Sequence, residues 1–144
     1  MSQKNIVLDA NVVRKWFIEE VESDKAEIIK EKYINGEIEI IVSPLLFYEV
    51  LNALKYSNLF EESELNFAGE SLENYGFKVI TVQKEIRSLM IENTVLQDLF
   101  IYDASYVALS IALDCPLYIA DEGINKKRPK KLKKDIISLK EVKG

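Results

Sequence analysis

Short runs of apolar residues alternate along the chain with longer stretches in which apolar residues recur every three or four positions. A short run predicts a buried strand, and the longer spacing predicts an amphipathic helix. The predicted strands are Ile6–Leu8, Ile38–Val42, Phe77–Val82 and Pro116–Ala120, with Asp135–Leu139 as a candidate fifth. The predicted helices are Asn11–Ile18, Asp24–Asn35, Pro44–Lys55, Glu61–Tyr75, Lys84–Glu92 and Tyr102–Leu113.

Strands that are separated by helices indicate βαβ units and a parallel sheet. We therefore predict an α/β fold with three layers, α/β/α, around a mostly parallel sheet of four to five strands. Ser43 is a typical N-cap with Pro44 at the first helical position, and Gly36 and Gly76 are typical helix stops. The 144 residues contain no internal repeat, so we expect one domain over residues 1–144.

Composition limits the chemistry more than it limits the fold. The chain has no histidine and one cysteine, Cys115. These counts exclude a Ser-His-Asp or Cys-His nucleophile system and a structural zinc site built from this chain alone. Any acid–base or metal chemistry must use carboxylates, lysines or tyrosines. No apolar stretch reaches the roughly 20 residues that span a bilayer, so we expect a cytoplasmic protein with no membrane partner.

Four of the 24 acidic residues lie in apolar surroundings, whereas most of the others lie in charged, solvated runs. Asp9 and Asp121 each follow a predicted strand, Asp103 opens an apolar helix, and Glu49 lies in the middle of another. Each aspartate has a simpler explanation as a cap of a helix or loop. A cap cannot explain Glu49, because an unpaired carboxylate among apolar side chains is costly in free energy.

These four acids are predicted to converge. Residues just past the carboxyl ends of parallel strands line one edge of a sheet, where ligands bind at a topological switch point. Carboxylates that share a pocket repel one another unless a cation neutralises them. Oxygen ligands without His or Cys favour Mg²⁺ or Mn²⁺, and such ions promote hydrolysis of phosphodiesters.

Several segments together resemble the PIN-domain nucleases, and most closely the VapC-type toxins of prokaryotic toxin–antitoxin pairs. The resemblance covers the chain from Ile6 to about Leu139. It is carried by Asp9-Ala-Asn11, Tyr48-Glu-Val-Leu-Asn52, Tyr102-Asp-Ala-Ser-Tyr-Val-Ala-Leu109 and Pro116-Leu-Tyr-Ile-Ala-Asp121. It implies a Mg²⁺- or Mn²⁺-dependent endoribonuclease that cleaves RNA with a metal-activated water.

The resemblance also implies roles for individual residues. Asp9, Glu49 and Asp103 would form the principal metal-binding and catalytic set, with Asp121 as a fourth acid. Asn11 would orient Asp9 or a bound water, and Glu49 is a candidate for deprotonating the water. One position departs from the family pattern, because Ile119 stands where Thr or Ser is common. The missing hydroxyl affects the expected rate more than the expected reaction.

Basic charge is concentrated in one segment of an otherwise acidic chain, whose formal net charge is −5. Seven of the nine residues from Lys126 to Lys134 are basic. Lys126, Lys127, Arg128, Lys130 and Lys131 are candidates for binding the RNA backbone, and the alternative is a solubilising loop. Trp16 and Phe17 are either core residues or, as the resemblance implies, part of a groove for a cognate antitoxin. The resemblance further implies a homodimer.

Other functions are compatible with parts of the pattern. A catalytically weak PIN-type module for RNA binding or assembly is the main alternative, and Ile119 favours it slightly. A phosphatase with an aspartate nucleophile needs a second Asp two residues after the first, where this chain has Asn11. A phospho-accepting receiver domain needs paired acids after the first strand, whereas Asp9 stands alone there.

Overall fold

The protein was analysed as a computed structural model that describes residues 4–120 and 136–144. Its centre is a parallel five-stranded sheet with the strand order β3-β2-β1-β4-β5. The strands are β1 (Lys4–Leu8), β2 (Ile38–Val42), β3 (Lys78–Val79), β4 (Leu117–Ile119) and β5 (Ile136–Ser138). The predicted parallel sheet is confirmed, and the candidate fifth strand is part of it.

Six α-helices of the described chain flank this sheet and complete the predicted three-layer α/β/α arrangement. They are α1 (Ala10–Arg14), α2 (Ser23–Ile34), α3 (Leu45–Tyr56), α4 (Glu62–Asn74), α5 (Lys84–Gln97) and α6 (Ile101–Leu113). A 3-10 turn at Leu139–Glu141 follows β5. Within the described ranges, no helix is both long and apolar enough to cross a bilayer.

The order of the strands reverses between β1 and β4. The chain first builds outward from β1 through β2 to β3, and then crosses back to place β4 on the other side of β1. Leu8 pairs with Tyr118, and the backbone N–H of Asp9 donates to the Tyr118 carbonyl at 3.3 Å. Asp9 therefore lies at the carboxyl edge of the sheet and at its switch point, where α/β folds bind ligands.

The central strands are covered on both faces. The last three residues of β1 are buried, as are four of the five residues of β2. Seven consecutive residues of α6, from Ala104 to Ser110, are buried as well. Continuous burial of this kind is typical of strands in a parallel sheet. Helix α6 is buried in the same way because it packs between the sheet and α5. The result is a rigid platform beneath the edge that carries Asp9.

Three elements have a boundary that differs from the predicted one by more than two residues. Helix α1 ends at Arg14 instead of Ile18, since the chain then turns and the Trp16 indole N–H donates to the Ala26 carbonyl at 2.9 Å. Helix α5 continues past Glu92 to Gln97 and ends at Asp98, whose φ of 52° is left-handed. Strand β3 has only two paired residues because it is the edge strand.

Candidate active site

Asp9 combines a structural contact with a position at the sheet edge. It follows β1 directly, is 2% exposed, and acts as the N-cap of α1. Its Oδ1 accepts a hydrogen bond from the Val12 backbone N–H at 3.0 Å. The capping explanation is therefore correct for Asp9. It engages one oxygen with the helix and leaves Oδ2 buried at the switch point.

Glu49 enters the same region from α3. It lies one turn into this helix, is partly buried, and accepts a hydrogen bond at Oε1 from the hydroxyl of Tyr106 in α6 at 2.6 Å. Helix α1 packs against α3, which brings the Asp9 cap and Glu49 to adjoining elements. The predicted buried carboxylate thus has a hydrogen-bond donor, and this donor is a tyrosine instead of a cation.

Asp103 occupies the first turn of α6 and is partly buried. The N-cap of this helix is Phe100, so the capping explanation for Asp103 is wrong. Its carboxylate lies where the amino end of a helix favours negative charge. Tyr106 follows it by three positions, which places both side chains on one face of α6.

Electrostatic effects at Tyr106 indicate that the three acids lie in its neighbourhood. Burial raises the pKa of the Tyr106 phenol above its usual range, and the charge on Glu49 raises it further. The charges of Asp9 and Asp103 add to this increase in the pKa. Burial also raises the pKa of Glu49, against a smaller opposing effect of the Tyr106 hydrogen bond. Three carboxylates from three separate elements therefore act on a single buried hydroxyl.

Tyr106 is the part of this site that the sequence did not identify. A tyrosine in an apolar helix is usually a core residue, and Tyr106 is indeed 1% exposed. The available signal was its spacing of one helical turn from Asp103. Its partner Glu49 is 57 positions away, so the contact required the fold.

Asn11 makes its described side-chain contact on the other side of α1. Its Oδ1 accepts from Arg14 Nη1 at 2.9 Å, and Arg14 Nη2 pairs with Glu20 Oε1 at 2.9 Å. Asn11 is therefore connected to a cation that the sequence analysis did not consider. Its predicted role in orienting Asp9 or a water stays a prediction.

The other predicted residues divide into two groups. Ile119, at the position where a hydroxyl is common in the family, is 1% exposed and belongs to the core. Asp121 and the basic residues Lys126, Lys127, Arg128, Lys130 and Lys131 lie outside the described residues. Of the four predicted acids, the structure brings Asp9, Glu49 and Asp103 to one region.

The donor set fits a hard divalent cation. Carboxylate oxygens are the ligands that Mg²⁺ and Mn²⁺ prefer, and these three carboxylates all act on the Tyr106 hydroxyl. Among residues 4–120 and 136–144, no three acidic or cysteine side chains are already arranged around a common ion position. Mutual repulsion keeps neighbouring carboxylates apart until positive charge is present.

Comparisons with known proteins agree on the fold. The family model described as PIN domain matches residues 6–129. No curated protein matches the chain in sequence. A toxin–antitoxin complex from Klebsiella pneumoniae contains a chain with a TM-score of 0.65 at 15% identity, and the match covers 93% of this chain and 97% of that one.

Two further solved structures are similar over nearly their whole length. FitAcB from Neisseria gonorrhoeae has a TM-score of 0.70 at 12% identity, covering 95% of this chain and 99% of that chain. VapBC2 from Rickettsia felis, bound to a DNA fragment from its promoter, has a TM-score of 0.65 at 13% identity, covering 93% and 96%. At these identities the similarity establishes a shared fold.

Proposed function

This chain belongs to the PIN domain family, a family of nucleases, and from that premise we propose that it is a Mg²⁺- or Mn²⁺-dependent endoribonuclease. We further propose that it is the toxin of a toxin–antitoxin pair, that residues 1–144 form one domain, and that it acts in the cytoplasm. The observation that carries the nuclease proposal is that Glu49 accepts a hydrogen bond from Tyr106, with Asp103 on the same face of α6 as Tyr106 and Asp9 at the start of α1, which packs against α3.

The proposed ligands of the cation are Asp9, Glu49 and Asp103, with Asp121, two residues after β4 in the sequence, as a fourth acid. These residues would hold a divalent cation, which would supply Lewis acidity to a phosphate oxygen and would lower the pKa of a neighbouring water. Asp9 is well suited to hold such an ion rigidly, because its Oδ1 is fixed by the α1 cap. We also propose that Asn11 orients a water beside Asp9.

Glu49 is the proposed proton acceptor. Oε1 accepts the hydrogen bond of Tyr106, which leaves Oε2 to face a water molecule. Burial raises the pKa of Glu49 toward the pH at which a general base is most effective. As Glu49 takes the proton, the water oxygen forms a bond to phosphorus, the bond from phosphorus to the ribose oxygen breaks, and the leaving oxygen takes a proton from solvent water.

RNA binding is proposed to use the basic segment from Lys126 to Lys134. An acidic active site repels a polyanion, and the sequence that follows Asp121 contains seven basic residues in nine. We propose that Lys126, Lys127, Arg128, Lys130 and Lys131 contact phosphates of the RNA on either side of the cut. Such contacts make affinity fall as salt concentration rises.

An antitoxin partner is supported by the fold and by one surface. The similar chains from Klebsiella pneumoniae and Rickettsia felis come from structures described as a toxin–antitoxin complex and as VapBC2. Trp16 and Phe17 pack against the core and also line a surface pocket whose rim includes Asp24 and Glu27. A pocket that contains both aromatic and acidic side chains suits a segment that carries both apolar and basic side chains.

A homodimer is supported by apolar side chains around the junction of α5 and α6. Val95, Leu96 and Phe100 are 71%, 68% and 77% exposed, and Tyr102 is 51% exposed. Exposed apolar patches of this kind are typical of interfaces. Light scattering after size-exclusion chromatography measures the molar mass in solution, and a homodimer should have twice the chain mass of 16.6 kDa.

The nuclease proposal is tested by cleavage of end-labelled single-stranded RNA with Mg²⁺, with Mn²⁺ and with EDTA. The test compares Asp103→Asn with Asp114→Asn. Both substitutions remove one negative charge from α6 or its C-cap, but Asp114 lies about 16 Å from Asp103 at the rise of an α-helix. Asp114 is left-handed at φ 49°, a conformation that Asn tolerates well.

We expect wild-type protein and Asp114→Asn to cut RNA with either metal and not with EDTA, and Asp103→Asn to lose at least 100-fold in rate. Equal cleavage by both variants would indicate a contaminating nuclease. Binding of RNA without cleavage by any of the three proteins would favour the alternative of a catalytically weak binding module, in agreement with the buried Ile119.

A further inference from the structure

Tyr106 connects the two helices that carry Glu49 and Asp103. Its hydroxyl donates to Glu49 Oε1 at 2.6 Å, and its own backbone lies one turn after Asp103 in α6. The ring is 1% exposed. The phenol therefore contacts one proposed ligand directly and lies on the same helical face as another.

The position of this hydroxyl is fixed by its surroundings. A buried ring in a closely packed core has little freedom to move, so its hydroxyl defines a point in the site. Glu49 has three side-chain torsions and is only partly buried, and such a side chain samples several rotamers when nothing holds it. The hydrogen bond selects those rotamers that place Oε1 at Tyr106.

We infer that Tyr106 is a positioning residue, whose hydroxyl holds the Glu49 carboxylate beside those of Asp9 and Asp103 so that the three can share one cation. This inference rests on the proposed metal site and deepens it, since Tyr106 acts through Glu49 and contacts no substrate. Hydrogen-bond partners of metal ligands typically contribute about 10- to 100-fold to metal affinity or activity.

The test measures Mn²⁺ binding by isothermal titration calorimetry in Tyr106→Phe and in a matched control, Tyr33→Phe. Tyr33 also donates a hydrogen bond of 2.6 Å, to the Tyr75 carbonyl, but lies at the end of α2, next to the amino end of β2. Both substitutions remove one hydroxyl and keep the ring. The control thus reports the effect of losing a comparable contact far from the acids.

We expect Tyr106→Phe to weaken Mn²⁺ binding by about 10-fold or more, and Tyr33→Phe to leave it unchanged. RNA cleavage by Tyr106→Phe should show a lower kcat at an unchanged KM. A Tyr106→Phe protein that binds Mn²⁺ as tightly as wild type overturns the inference, even if wild type cuts RNA. Weakened Mn²⁺ binding in a protein that never cuts RNA supports the inference and refutes the proposed function instead.

A double substitution identifies Glu49 as the group through which Tyr106 acts. Added to Glu49→Ala, which removes the acceptor of the Tyr106 hydrogen bond, the Tyr106→Phe change should have less than a 2-fold further effect on Mn²⁺ affinity. Independent effects of the two changes would contradict positioning through Glu49.

The wild-type protein gives a further measurement that needs no variant to fold. Saturation with Mg²⁺ should alter the ultraviolet difference spectrum of tyrosine, and no change would count against the inference.

Discussion

Asp9 has two roles in this account, and substitutions at Asp9 can separate them. Its Oδ1 caps α1 through the Val12 N–H, and the carboxylate as a whole is proposed to bind a cation. Asn keeps a capping oxygen but removes the charge, whereas Ala removes both. The two variants should therefore differ in stability and agree in lost activity.

The expected stability changes follow from the cap. Loss of an N-cap costs about 1 kcal/mol, and the buried Val12 N–H left without its acceptor brings the cost for Asp9→Ala to about 1–2 kcal/mol. A chain of this length has an unfolding entropy that corresponds to a change in Tm of roughly 3 °C per kcal/mol. In EDTA, Asp9→Ala should melt roughly 3–7 °C below wild type, and Asp9→Asn should melt within about 2 °C of it.

The metal role is read from the same melts after Mn²⁺ is added. At 100 times its dissociation constant, a ligand stabilises the native state by about 2.7 kcal/mol, or roughly 8 °C for wild type. Asp9→Asn should lose most of this increase in Tm, and Asp114→Asn should keep it. If Asp9→Asn gains the full increase, Asp9 does not bind the ion, and if Asp9→Ala melts with wild type in EDTA, the cap contributes nothing.

Three further predictions concern a charge, a core side chain and a turn. Burial raises the pKa of Glu49, so ionising this group destabilises the folded state as pH rises above the ordinary glutamate range. In EDTA, Glu49→Gln should therefore raise Tm at pH 7 and leave it unchanged at pH 3.5. An equal gain in Tm at both pH values would contradict this. Leu109 is fully buried in α6, so Leu109→Ala should cost about 2–5 kcal/mol in urea unfolding, and a cost below about 1 kcal/mol would show that the core collapses around the cavity. Gly76 follows α4 at φ 70°, so Gly76→Ala should cost about 1–2 kcal/mol in the same assay, whereas a neutral effect would show that the turn adopts another conformation.

Much of the fold was predictable because local pattern and tertiary structure agree. Buried strands β1, β2 and β4 coincide with short apolar runs, and α4 ends beside the left-handed Gly76. The boundary of α1 differed because it depends on a contact ten positions away. The apolar spacing at Trp16 and Phe17 resembles a continuing helix, but the indole is held by the Ala26 carbonyl, so the chain turns there.

The far end of α5 was missed for a different reason. Val95 and Leu96 are adjacent, apolar and exposed, so this turn of the helix does not show an alternation of buried and exposed positions. A helix that continues through such residues is understandable if they face another molecule. Periodicity within one chain cannot reveal this.

The proximity of the three acids was predictable, and the hydrogen-bond donor to Glu49 was not. Asp9, Glu49 and Asp103 were identified because a carboxylate in apolar surroundings needs an explanation. The donor to Glu49 was not identified, because Tyr106 is separated from it by 57 positions and has an ordinary environment in the sequence. The contact of the Asn11 amide oxygen with Arg14 is local, at a spacing of three residues, and was still not predicted.

The most direct measurement is the location of Mn²⁺ in crystals of the protein, by its anomalous scattering. The account predicts a peak at the carboxyl edge of β1, bounded by Asp9, Glu49 and Asp103, which is absent from crystals of Asp103→Asn. An equally strong peak in the variant, or a peak that forms only on other surface carboxylates, would contradict the shared cation site.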